Sequence, residues 1–410
     1  MNIPDFNALT KECLEKTANI TRRLPSRLAG SEMCDKAAHA LYKDMRTFCD
    51  SSRLHSFHIH STSYGYTKLL PLIYVIGIVT FFIGSIWTLI PLIGLPLGIC
   101  MIFIQFGLGG TFLDGFYKKK PAVNVIGSLE PAGTVRQQIV ISGHHDSAPV
   151  TRLYHHKIQG LLVFTMFTPY LFYFYQIFLS SYVLLSGIKT LAPGYIVVLT
   201  AGIPFAAFYF LAVDTKHGTP GAGDNMIASV IALCMGKRLA QIKKTNHLFL
   251  AHTRIILASF DAEELVFKGA SAYCKDYKRD LTSVPTYHLN LESLYKLKDL
   301  QVLTSDVNGF QKLSKDMAER IVRIGRRLGI SVKSFNMVFG GGSTDAAASA
   351  RSGITSTTIF GLPTTLFRSG LVYHTATDTV DHIEPEIVTA CLRLIWEYIV
   401  EMENRAAGSS

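Results

Sequence analysis

The chain has 410 residues, a hydrophobic fraction of 49% and a formal net charge of +10. That length suits one large domain with additions, and the scattered basic residues form no aromatic-studded stripe, which argues against a nucleic-acid partner. Seven cysteines in an odd, dispersed set, without CxxC spacing, argue against a disulfide framework and fit a reducing compartment.

The N-terminus is polar and amphipathic, so no cleavable signal peptide is expected. Residues 6–50 carry helical periodicity, and 53–61 reads as a strand. From 69 to 113 no Asp, Glu, Lys or Arg occurs. About 20 apolar residues cross a bilayer, so this block predicts two crossings, near 69–89 and 92–113, with a break at Ile90-Pro91. A second block, 158–213, has Lys189 as its only charge and predicts crossings at 161–185 and 195–213. Lys68, Lys118, Lys119, Lys120, Arg152, Lys157 and Lys216 flank the outer ends of both hairpins, which predicts both termini and the bulk of the chain on the cytoplasmic side by the positive-inside rule.

Outside these blocks, strands at 122–128, 138–142, 254–260, 286–291 and 354–360 alternate with helices at 226–238, beginning at 262–273, within 306–328 and at 385–402. That alternation predicts an α/β fold with a mixed, mostly parallel central sheet flanked by helices. The expected organisation is one α/β body made of segments 1–68, 114–157 and 214–404, membrane hairpins 69–113 and 158–213, and a disordered tail at 405–410.

Five segments carry the chemistry, most of them just after a predicted strand. These are His144 with Asp146, Asp224 ahead of a helix, the pair Glu263-Glu264, Asn290-Leu291-Glu292, and Tyr373-His374-Thr375 with Asp378. Each alone reads equally as a polar strand end, a turn or a helix cap. Together they offer enough imidazole and carboxylate for two divalent ions sharing a bridging carboxylate.

In order and spacing these motifs resemble the co-catalytic zinc aminopeptidase family, which includes bacterial leucyl aminopeptidases and glutamate carboxypeptidase, with glutaminyl cyclases as relatives. Arg23–Gly30 (RLPSRLAG) and Gly341–Ala346 (GGSTDA) also resemble family segments. The resemblance implies a three-layer zinc-peptidase sandwich and two zinc ions, with cobalt or manganese as alternatives. It implies His144, Asp224 and Glu292 on one ion, Asp224, Glu264 and His374 on the other, Asp146 orienting His144, and Glu263 as general base. The implied substrate is a peptide with a free N-terminus, attacked by metal-activated water; the lipid bilayer is expected as a second partner from the two apolar blocks. Glu292 replaces the family's usual Asp, and Val266-Phe267 and Ala270 replace its Gly-Leu and Ser. Competing readings are a glutaminyl cyclase-like acyltransferase, a carboxypeptidase or amidohydrolase on the same site, and an inactive membrane receptor or scaffold.

Overall fold

A computed structural model describes residues 3–60, 68–151, 159–246, 249–363 and 371–408. His155, His156, Arg152 and Lys157 lie outside the described residues. The strands are β1 (Ser51–His60), β2 (Lys119–Leu129), β3 (Gln137–His144), β4 (Pro149–Thr151), β5 (Val213–Gly218), β6 (Thr253–Phe260), β7 (Thr286–Glu292), β8 (Gln301–Leu303), β9 (Ser305–Asp306), β10 (Gln311–Lys312), β11 (Lys333–Phe335) and β12 (Thr355–Phe360). The helices are α1 (Phe6–Arg23), α2 (Glu32–Met45), α3 (Leu69–Ile83), α4 (Leu89–Ile102), α5 (Gln159–Ser186), α6 (Pro193–Ala201), α7 (Ile203–Ala212), α8 (Ile227–Thr245), α9 (Lys268–Asp276), α10 (Lys278–Leu281), α11 (Lys315–Leu328), α12 (Ala346–Arg351) and α13 (Pro385–Gly408).

Eight strands form one mixed sheet in the order β1-β2-β6-β3-β7-β12-β8-β11. Its centre is parallel: β3 pairs β6 and β7, and β12 pairs β7, all in the same direction. The central strands are buried on both faces, as a near-continuous apolar run such as RIILASF requires. One face packs against α1, α2, α8 and α13, whose Leu41, Met45, Ile231, Leu239, Trp396 and Ile399 join the main core. Phe267, Tyr273 and Ala347, from the α9 and α12 region, cover the other. The expected α/β fold with a mixed sheet flanked by helices therefore forms. All seven cysteines are free thiols.

The register decides where the chemistry falls. His144 pairs with Phe260 and Ser142 with Asn290, so the carboxyl ends of β3, β6 and β7 reach one rim together. Ligand sites in such sheets lie beyond these ends.

Three local expectations are corrected. Residues 262–267 do not open a helix; α9 starts only at Lys268, because Ala262, Val266 and Phe267 all hold left-handed φ values of 61°, 71° and 43°. Residues 405–408 are not a disordered tail, since α13 runs unbroken to Gly408 and buries Ala406. The first apolar block breaks at Gly84, with φ of 150°, rather than at Ile90-Pro91. Pro91 lies in the first turn of α4, where an N–H would lack an intrahelical acceptor anyway.

The apolar helices form their own cluster, with Leu70, Tyr74, Phe81, Leu95, Tyr173, Leu179 and Leu199 inside. Its polarity runs inside out. Gln176 is buried and donates to the Tyr74 carbonyl at 3.1 Å, while Phe82 and Leu171 are each 70% exposed and Leu185 is 89% exposed. Among the described residues one helical stretch, Ser85–Gly107 with 23 residues, is long and apolar enough to cross a membrane. Leu69–Ile83 and Pro193–Ala207 are apolar but shorter. Two full spanning hairpins at the expected boundaries are therefore not what forms: a 15-residue α3 extends about 22 Å, short of a bilayer core of about 30 Å. The expected 195–213 crossing is divided at Gly202 between α6 and α7, and its last residue, Val213, already belongs to β5.

Candidate active site

His144 closes β3 and is fully buried. Its Nδ1 faces Asp146 Oδ1 at 3.1 Å. The same Asp146 carboxylate accepts the backbone N–H groups of Glu263 and Glu264, each at 3.2 Å. One carboxylate thus sets the His144 ring and the path of the chain through both glutamates. The left-handed turn at Ala262 belongs to this loop, which explains why a helix cannot begin there.

Asp224 arrives from a tight loop ahead of α8. Gly221 has φ of 56°, a region costly for other residues. A Cβ on Gly223 would lie 2.2 Å from the Tyr295 ring, so only glycine lets the loop approach this closely. The Asp224-Asn225 peptide is cis. Arg27 ties the loop to the rim: wholly buried, it donates to the carbonyls of Leu24, His145, Pro220 and Gly221 at 2.8 to 2.9 Å. These bonds give a physical role to the RLPSRLAG segment that resemblance alone left unassigned.

The donors converge. His144 Nε2 lies 3.4 Å from Asp224 Oδ1, 3.4 Å from Glu292 Oε1 and 3.7 Å from Glu263 Oε2. His374 Nε2 lies 3.1 Å from Asp224 Oδ2 and 3.5 Å from Glu264 Oε2. Two groups result, His144-Asp224-Glu292 and Asp224-Glu264-His374, each with its ligand atoms within 4.8 Å of one another. All five residues expected to hold metal meet at one rim, with Glu263 and Asp146 beside them.

Sequence reasoning did not single out the supporting residues. Ser293 Oγ donates to Asp224 Oδ1 at 3.2 Å and to Glu292 Oε1 at 3.0 Å. Asn225 Nδ2 donates to Glu292 Oε2 at 3.1 Å. Their neighbours in the chain gave the only signal, since each adjoins a ligand. Asp345 of the GGSTDA segment is fully buried, and neither of its carboxylate oxygens has a hydrogen-bond partner.

The charge balance of the cluster favours cations. Four buried carboxylates within a few ångströms cannot all ionise unaided. Burial pushes Glu263 well above the usual range, and pushes Glu292 up to about 7. Burial alone would depress His374, but Glu264 and Asp224 outweigh it and drive the imidazole up to about 10. Asp224 would also rise on burial, yet the two histidines hold it well below the ordinary carboxylate range. His144 Nε2, Asp224 Oδ2 and Glu263 Oε1 are buried without hydrogen-bond partners. Imidazole and carboxylate donors left over in this way fit zinc.

Residues 212–399 match Peptidase family M28. No curated protein matches the chain by sequence. Among solved structures, the chain is similar to BSAP, a zinc aminopeptidase from Bacillus subtilis, at 14% identity and a TM-score of 0.56, covering 96% of this chain and 95% of that one. It is also similar to a glutaminyl cyclase from an Acidobacteriales bacterium, at 15% identity and a TM-score of 0.57, covering 99% and 98%. An aminopeptidase from Aneurinibacillus sp. strain AM-1 follows at 12% identity and 0.54, covering 96% and 95%. At such identities the likeness is one of fold, and the match to Peptidase family M28 covers residues 212–399, a little under half of the chain.

Proposed function

We propose that this protein is a membrane-anchored aminopeptidase that releases N-terminal residues from peptides with two zinc ions. One observation carries the reading. Asp224 stands between two imidazoles, with Oδ1 toward His144 at 3.4 Å and Oδ2 toward His374 at 3.1 Å. Each imidazole has a further carboxylate of its own, Glu292 and Glu264. This near-symmetric arrangement supports a pair of cations with Asp224 shared between them.

Bound zinc would supply a Lewis acid for the scissile carbonyl and acidify a water molecule. The chain's own part is proton handling. Glu263 is buried beside His144, and its Oε1 lacks a hydrogen-bond partner. From there it takes a proton from the attacking water and passes it to the leaving amine. Asp146 keeps His144 in one orientation, as partners of ligating histidines do.

Membrane anchoring is supported by the outward apolar faces of α3, α4 and α5 and by the inward polar Gln176 and Thr80. Lys68, Lys118, Lys119, Lys120 and Lys216 sit where the helical inserts rejoin the peptidase body, which supports a cytoplasmic catalytic domain.

A second reading, a glutaminyl cyclase-like acyltransferase, draws on a fold likeness of equal strength. The two separate with peptides bearing N-terminal glutamine, which a cyclase converts to pyroglutamyl peptide and an aminopeptidase shortens by one residue. The main test joins metal analysis with digestion of an N-terminal peptide library. The reading expects at least two zinc ions per chain and stepwise release of N-terminal residues. In Glu263→Gln, turnover should fall by about 10²- to 10⁴-fold while metal content holds. Wild-type turnover in that variant would remove Glu263 from the base role.

A further inference from the structure

A second cluster of metal-ligating side chains lies apart from the residues used above. Cys34 belongs to the first turn of α2, His145 follows β3, and Asp261 follows β6. One donor atom from each lies within 4.8 Å of the other two, and all three residues are buried. Cys34 Sγ is 3.2 Å from Asp261 Oδ1. His145 Nδ1 is held by Ser259 Oγ at 2.9 Å, and that hydroxyl pairs with Ser229 Oγ at 2.7 Å. The ring is thereby fixed with its other nitrogen, Nε2, turned to the interior. That atom is wholly buried and has no hydrogen-bond partner.

A buried imidazole nitrogen without a partner is costly, and a thiol and a carboxylate have donor atoms within 4.8 Å of a nitrogen of this ring. Access exists. Asp261 lines a surface cleft of about 230 Å³ together with Gly30, Ser31, Glu32, Asp35 and Val123. Glu32 and Asp35 are largely exposed, so the mouth of the cleft is acidic and attracts cations.

We propose that Cys34, His145 and Asp261 form a metal site distinct from the catalytic one, for a borderline-soft divalent cation such as zinc. On binding, the Cys34 thiol loses its proton to solvent and its sulfur bonds to the ion. His145 Nε2 and one Asp261 oxygen donate lone pairs, and a water from the cleft completes a tetrahedral set. Thiolate and carboxylate balance the ion's two positive charges, and no electron transfer is involved. The ion then ties α2 to the ends of β3 and β6. Those are the ends that carry His144, Asp146, Glu263 and Glu264, so the site is a brace for the catalytic rim.

The chemistry makes the test selective, because no thiol belongs to the catalytic cluster. Purified full-length protein loaded with cobalt(II) should show a near-ultraviolet thiolate-to-cobalt charge-transfer band. The band should vanish in Cys34→Ser, while visible cobalt absorption from the catalytic site remains. Absence of the band from fully loaded wild-type protein overturns the proposal. So does a band that survives in Cys34→Ser, since it would belong to another cysteine. Should Cys34→Ser fail to fold, zinc-edge X-ray absorption on the fully loaded wild type decides: a fractional sulfur shell at about 2.3 Å, one sulfur averaged over all bound zinc, is expected, and a shell of nitrogen and oxygen alone refutes the site.

Discussion

Asp378 holds Asp224 by its backbone, accepting the N–H of Asp224 at 3.2 Å and that of Gly223 at 2.9 Å. The carboxylate that faces both histidines is thus positioned by a second carboxylate that faces neither. Burial and the neighbouring Asp224 charge push Asp378 up to about 7. Asp378→Asn preserves the shape but replaces one acceptor oxygen with a donor. Zinc affinity should fall by about 10- to 100-fold, as for other partners that orient ligands. Chelator competition measures it, and unchanged affinity would deny Asp378 this role.

Gly223→Ala tests the closeness of the same loop. The added carbon would sit 2.2 Å from the Tyr295 ring, which is itself buried. Overpacking of this kind costs about 1–3 kcal/mol. The midpoint of thermal unfolding should drop, and activity should drop further because the displaced segment carries Asp224. A variant with wild-type stability and rate would mean that the ring yields freely.

Zinc binding should release protons and strengthen as pH rises. Without metal, Glu292 titrates at about 7 and His374 at about 10, so both hold protons near neutrality that zinc must displace. The sign follows: raising pH through 7 strips the Glu292 proton and favours the metal, and lowering it restores the competitor. Calorimetry in buffers of different ionisation enthalpy counts the protons released. Zinc should also raise the unfolding midpoint more at pH 8 than at pH 6. Affinity that is flat between those values contradicts the assignment of these two residues as ligands.

The helical inserts predict behaviour with lipid. Full-length protein should float with liposomes and resist extraction by alkaline carbonate, as expected when apolar side chains such as Phe82, Leu171 and Phe178 face outward. Recovery in the soluble fraction would rule out anchoring. Replacing residues 152–212 with a short linker, so that β4 and β5 stay joined, should leave cleavage of soluble peptides within a few-fold of wild type.

Much of the rim was readable in the chain because it sits where strands stop. His144, Glu292 and the segment after Phe260 follow runs of buried residues whose ends align in a parallel sheet. What was not readable depends on partners far apart in sequence. The loop 262–267 looks helical by composition, and only the Asp146 carboxylate, reaching from another strand, explains its course. Arg27 acquires meaning from four carbonyls, three of them more than 100 residues away. In the first apolar block the break differs from the one the sequence predicts, because proline at a helix start is harmless and Gly84 carries the turn; in the second, α5 ends at Ser186 and α6 begins at Pro193, where the sequence predicts the break.

The second insert leaves the body through β4 and returns through β5, and Thr151 N–H, on the outgoing strand, donates to the carbonyl of His374 at 2.8 Å. His374, a metal ligand under the proposed function, therefore hangs from the root of the apolar helices. Under the proposed membrane anchoring, a tilt of those helices would be passed through this bond to His374 and would alter how tightly its ion is held. Bilayer thickness would then act as a dial on turnover, readable by comparing rates in short-chain and long-chain lipid vesicles.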